Sequence, residues 1–165
     1  MSASLLSTLE DMSRYNRRAN RVIYGACAKL PTKQLALPRK AFFGSIIATL
    51  NHILVMDRVW LDRFTGTEGE PMERDTILHD EFDGLWTARN QEDERMEEFV
   101  ENLSIAFLAT RFRWQDLDGQ FHNDPADVLV LHMFNHQTHH RGQIHDMLSQ
   151  TGIEPPSLDY HRLHA

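Results

Sequence analysis

Apolar residues recur at helical spacing in four blocks of the chain, and each block stops at a proline or glycine cluster. The first, about Leu5 to Leu30, sets Leu5, Leu9, Met12, Ala19, Val22, Ile23 and Ala26 on one side and stops at Pro31. The second runs from about Pro38 to Phe64 and breaks within Thr65-Gly66-Thr67-Glu68-Gly69-Glu70-Pro71. The third, about Leu78 to Leu103, opposes Phe82, Leu85, Trp86, Met96 and Phe99 to a mostly charged face, the pattern of a surface helix. Ala106 to Trp114 reads as a short strand, Asp118-Gly119 as a turn and Gln120-Phe121-His122 as the returning strand. Asp124-Pro125 then offers an N-cap and a first-turn proline for a last helix that ends near Thr151-Gly152. The tail from Ile153 to Ala165, with Pro155-Pro156, is expected to be irregular. The prediction is an all-α fold: an up-down four-helix bundle with a short β-hairpin before the last helix, in one domain over residues 1–165.

Composition narrows the partners. A chain of 165 residues with 41% hydrophobic content can bury a core without staples. Its net charge of -7 argues against nucleic acid, whose phosphates call for clustered Lys and Arg, and no basic stripe points to an anionic membrane. No apolar stretch is long enough to span a bilayer, and Met1-Ser2-Ala3-Ser4-Leu5-Leu6 lacks the regions of a signal peptide, so a cytoplasmic location is expected. The single cysteine, Cys27, excludes an intrachain disulfide and reads as a buried structural thiol.

Candidate chemistry lies in the histidines. His136 and His140 stand one turn apart on the apolar face of the last helix, in the arc of Leu129, Met133, Ile144 and Met147, so both rings can reach one ion. Two imidazoles buried there need partners, either backbone carbonyls and water or a divalent metal. The second helix is apolar nearly all round: Phe42, Phe43, Ile46, Leu50, Leu54 and Leu61 fall in one arc and Ala41, Ala48, Val55 and Val59 in another. Between them is a thin wet stripe at Asn51, Arg58 and Asp62, so this helix is central, or central on one side and at a subunit interface on the other. His52 lies off that stripe among Ser45, Ala48, Thr49 and Met56, as a ligand or as a hydrogen-bonded core residue. Asp57 falls inside the large apolar arc, where pairing with a buried donor is favoured over a packing defect.

The stretches Tyr15-Asn16-Arg17-Arg18-Ala19-Asn20, Asn51 to Trp60 and Asn135 to Gln143 resemble the signatures of the DinB/YfiT-like superfamily, and the order of elements agrees. The motif Asn135-His136-x-x-x-His140-Arg141-Gly142-Gln143 is the most specific part. The resemblance implies a four-helix bundle, usually a homodimer, with a divalent metal held by one histidine from helix two and two from the last helix. Carried onto this chain, those are His52, His136 and His140.

Other polar residues compete. His132 and His140 lie about 12 Å apart along the axis, too far to share an ion, so His132 backs a ligand or faces substrate. His139 either reaches a substrate at the metal or is a half-exposed surface residue; His145 falls on the opposite face, and His161 and His164 belong to the tail. Arg141 could anchor an anion, but a salt bridge to a neighbouring helix is favoured.

Three neutral imidazoles leave a divalent ion with open positions, the layout of a catalytic site. Zinc and nickel suit imidazole best, with iron or manganese next. Such an ion could make hydroxide from water or hold a thiol as thiolate. The resemblance includes transferases and isomerases that use low-molecular-weight thiols, which favours a metal-dependent thiol S-transferase or isomerase acting on a small molecule. A metal-dependent hydrolase, with His139 or Asp57 as available bases, and a non-catalytic metal-stabilised ligand-binding protein stay open.

Overall fold

A computed structural model of the chain describes residues 2–163, with side chains from Leu5 onward; His164 and Ala165, in the tail expected to be irregular, lie outside the described residues. The elements are α1 (Ser2–Cys27), α2 (Thr32–Ala36), α3 (Ile46–Thr65), α4 (Phe82–Glu101), α5 (Ile105–Leu108), β1 (Arg111–Gln115), β2 (Phe121–Pro125), α6 (Ala126–Ser149) and α7 (Tyr160–Leu163). The four long helices form the predicted all-α bundle, and the β-hairpin precedes the last of them.

Packing sets the arrangement. α1 lies against α4 and α6, and α3 lies against the same two, so α1 and α3 occupy opposite corners. One apolar cluster joins Ile23 and Cys27 of α1 to Ile46, Leu50, Phe82, Leu85, Ile144 and Met147. The other joins Leu9 to Leu61, Met96, Val100, Val130 and Phe134. The directions that follow are up, down, down, up, so α3 and α4 run parallel where strict up-down alternation would set them antiparallel, a choice that helical periodicity does not specify. Because α3 and α4 start at the same end, residues 66–81 must return along the bundle, and that long connection passes the site described below. Val55 of the second apolar arc is fully buried within the chain, while Ala41, Ala48 and Val59 of the same arc are half-buried.

Between the two apolar clusters lies a buried polar layer. Arg89 Nη1 donates to Asp57 Oδ2 at 2.5 Å, and its Nη2 stands 3.0 Å from Asp93 Oδ1. Asn20 donates to Asp93 at 2.9 Å, Gln137 to Asp57 at 2.6 Å, and Arg141 Nη1 to Asn16, Asn20 and Gln137. Two carboxylates and two guanidiniums cancel, which is what lets four charged side chains stay out of water. Asp57 is therefore a structural pairing, as its place in an apolar arc predicts. Three expectations are corrected here. α4 does not simply divide into an apolar inside and a charged outside, since Arg89, Glu92 and Asp93 are buried. Arg141 is held by amides of α1 and α6, and no carboxylate among the described residues lies within ion-pair distance of it. Asn51 is not on a wet stripe: its amide donates to Ile47 O and His79 O and accepts from the N–H groups of Leu78 and His79, clamping the return loop.

Element boundaries differ from the periodicity for local reasons. α3 begins at Ile46 rather than Pro38, because Ser45 caps it by accepting from Ala48 N at 3.2 Å, and α2 forms separately around buried Leu35. Gly66, at φ +68, ends α3 in the left-handed conformation that only glycine enters cheaply. Ile105–Leu108 is helical, not the start of a strand, since Ser104 accepts from Phe107 N and caps a short turn. The Asp118-Gly119 turn forms as predicted, but β2 continues through Asp124-Pro125. Asp124 caps nothing; it pairs with Phe112 across the ladder and accepts from Trp114 Nε1 at 2.8 Å. In the tail, residues 160–163 make one helical turn, docked where Tyr15 donates to Leu158 O and its ring meets Tyr160.

Candidate metal centre and its cavity

His52 comes from the second turn of α3, His136 and His140 from the middle of antiparallel α6, and their rings meet at one point. His52 Nε2 lies 3.1 Å from His136 Nε2 and 3.2 Å from His140 Nε2. One donor atom from each residue falls within 4.8 Å of the others. Two nitrogens bound tetrahedrally at zinc distances stand about 3.3 Å apart, so these separations suit a shared ion.

The outer ring nitrogens of His52 and His140 fix which of their lone pairs point inward, while Nδ1 of His136 is buried without a partner among the described residues. His52 Nδ1 lies 2.6 Å from Arg74 O in the return loop, and a carbonyl can only accept, so the proton is on Nδ1 and Nε2 is bare. His140 Nδ1 lies 2.9 Å from Gln143 Oε1, while the Gln143 amide nitrogen faces His139 Nε2 at 3.3 Å. That again leaves Nε2 of His140 bare. Two lone pairs 3.2 Å apart repel unless a cation sits between them, and the residues present therefore fit a divalent ion. Burial lowers the pKa of all three rings: His52 falls to about 4 and His136 to about 3, with the neighbouring imidazoles adding to the effect, and His140 also falls. Neutral imidazole is the form that ligates. Phe43 stacks on His52 with centroids 3.9 Å apart and holds the ring plane.

The triad opens on a cavity of about 540 Å³. Met56, Trp60 and His132 line it together with Phe42 and Phe43, and the hairpin contributes Trp114, Asp116 and Leu117. His132 and His139 both line it: His132 is edge-on to Trp60, with its ring 6.0 Å from that of His136, and His139 is exposed beside His140. His145 lies elsewhere, half-buried beside Tyr15 and Arg141. Asp57 faces the buried polar layer and not the cavity, so it is not available as a base to a ligand there.

Several participants escape a reading of the sequence. The Arg74 carbonyl carries no side-chain signature, and Gln143 is visible only as the end of a motif. Trp60 and Arg63 both line the cavity, and neither stands in a motif. Their offsets of 8 and 11 residues from His52, which place all three on one helix face, are the signal that could have found them.

The comparisons agree with this architecture. The chain is 27% identical over 156 residues to Protein DinB of Bacillus subtilis (strain 168), covering 88% of this chain and 87% of that protein. The crystal structure of a DinB-like protein from Bacillus cereus ATCC 10987 superposes with a TM-score of 0.61 at 18% identity, covering 85% of this chain and 90% of that one, which shows a shared fold. The family model for the DinB family matches residues 1–165. The chain belongs to the DinB family.

Proposed function

We propose that His52, His136 and His140 hold a divalent metal ion, zinc or nickel before iron or manganese, and that the cavity beside them serves a thiol S-transferase or isomerase reaction on a small molecule. The observation that carries this reading is the pair of bare Nε2 lone pairs, 3.2 Å apart and backed by a carbonyl and an amide oxygen. A divalent ion there would supply Lewis-acid chemistry, favouring the deprotonated form of a bound thiol.

The chain's own residues do the rest. Arg74 O and Gln143 Oε1 orient two of the rings, and Phe43 excludes water from the back of His52. Met56, Trp60 and Trp114 offer a soft, apolar lining for the carbon skeleton of a substrate. His132, lining the cavity and outside the triad, is placed to take up a proton released as a thiol binds.

The test is elemental analysis of protein prepared without nickel affinity, beside His136→Ala. About one ion per chain, absent from the variant, is expected. Loss of free thiol against electrophilic acceptors should follow the metal content. Metal with ester hydrolysis and no thiol consumption would turn the reading to a hydrolase. Metal whose removal only lowers thermal stability would turn it to a structural site.

A further inference from the structure

His52, Met56, Trp60 and Arg63 share one face of α3 and line one cavity. Its two ends therefore differ: imidazoles at one and, from a residue about three turns further along α3, a guanidinium at the other. The carbon of the Arg63 guanidinium stands 4.8 Å from the ring centroids of both Trp60 and Trp114. A guanidinium has five N–H donors, and among the described residues only Nη2 of Arg63 is satisfied, by Gln115 O at 2.6 Å.

No carboxylate among the described residues is close enough to pair with it. Arg58, Arg89 and Arg95, elsewhere on α3 and α4, are each ion-paired. Asp116 lies nearest in the cavity wall, but its Oδ2 is held by His122 Nε2 at 2.7 Å and its Oδ1 accepts from the N–H groups of Asp118 and Gln120. Its pull on Arg63 is a long-range one, and burial outweighs it, lowering the Arg63 pKa while the group stays charged. A half-buried cation resting against two indoles, with most of its fork unused, is a preformed receptor for a planar anion.

We propose that Arg63 anchors a carboxylate on the ligand of this cavity, so that the protein takes molecules with an anionic end, an apolar or aromatic middle over Trp60 and Trp114, and the reacting group at the triad. This rests on the cavity being the ligand site, and does not need the ion.

Tryptophan fluorescence reports the event directly, because Trp60 and Trp114 flank the anchor. The probes are 4-phenylbutanoate and its neutral isostere 4-phenylbutanamide, titrated into the intact protein as isolated, after chelation, and into Arg63→Gln, Arg63→Lys and His136→Ala, each checked for folding by circular dichroism. The acid should bind at least about tenfold more tightly than the amide, and chelation or His136→Ala should leave most of that preference. In Arg63→Gln the two should bind within about twofold of each other, with the amide unchanged, and Arg63→Lys should recover part of the preference by charge without the fork. Equal binding of acid and amide to the wild type, no binding of either, or a preference that survives in Arg63→Gln would overturn the proposal. Metal retained in Arg63→Gln but lost in His136→Ala would keep the triad's reading apart from this one.

Discussion

Gln137 Nε2 donates to Asp57 Oδ2 at 2.6 Å, one residue along α6 from His136 and five along α3 from His52. The two helices that carry the triad are thus tied by the buried layer that balances Asp57 and Asp93 against Arg89 and Arg141. The histidine spacing depends on helix register, and this layer holds the register.

Asp57→Ala leaves Arg89 with half its compensation in a fully buried place. A loss of about 3–5 kcal/mol is expected, read as a lower midpoint in urea unfolding. Metal affinity should fall too, although Asp57 touches no ligand.

Asn51→Ala removes the clamp on the return loop. It strands the N–H groups of Leu78 and His79, at about 1–3 kcal/mol for each group left without a partner. Hydrogen exchange at those two amides should accelerate. Because the same loop presents Arg74 O to His52 Nδ1, metal should also be held more weakly.

For the metal-free protein the sign of the pH dependence follows from the depressed imidazoles. The unfolded chain protonates near the ordinary histidine value of about 6.5, while folded His52 waits until about 4 and His136 until about 3. In that window the unfolded state binds more protons, so these groups' contribution is fully present above pH 6.5 and is lost as pH falls. Asp57 acts oppositely, since burial pushes its carboxyl up to about 7. Comparing chelated wild type with His136→Leu isolates the imidazole: the variant's stability should depend less steeply on pH below 6.5, by at most one proton. An identical slope in both would count against the buried neutral ring.

Cys27 is buried, and burial pushes its thiol up to about 12. It should resist Ellman's reagent in the native protein and react fully in denaturant. Rapid native labelling would contradict its place in the core.

Much of the site was legible because helical geometry is local. Four residues bring His136 beside His140, and an apolar arc tells which face they take, so periodicity and the family-like motif reached all three histidines of the cluster. The same periodicity misplaced the start of α3, where a serine cap outweighs an apolar run, and missed α2, whose one buried leucine leaves no period to see. It also began a strand at Ala106, inside Ile105–Leu108, where a capping hydroxyl wins over four apolar residues.

By itself the sequence determined the four long helices, the hairpin turn and the His136–His140 pair, since these follow from spacing within single segments, and the family likeness added His52. Only the tertiary structure decided that α3 and α4 run the same way, that Asp57, Arg89, Asp93 and Arg141 neutralise one another, that a loop carbonyl sets the His52 tautomer, and that Arg63 rests against two indoles with no carboxylate partner among the described residues. Each of those depends on which segment becomes a neighbour in space, where charge compensation and excluded water act on residues far apart in the chain.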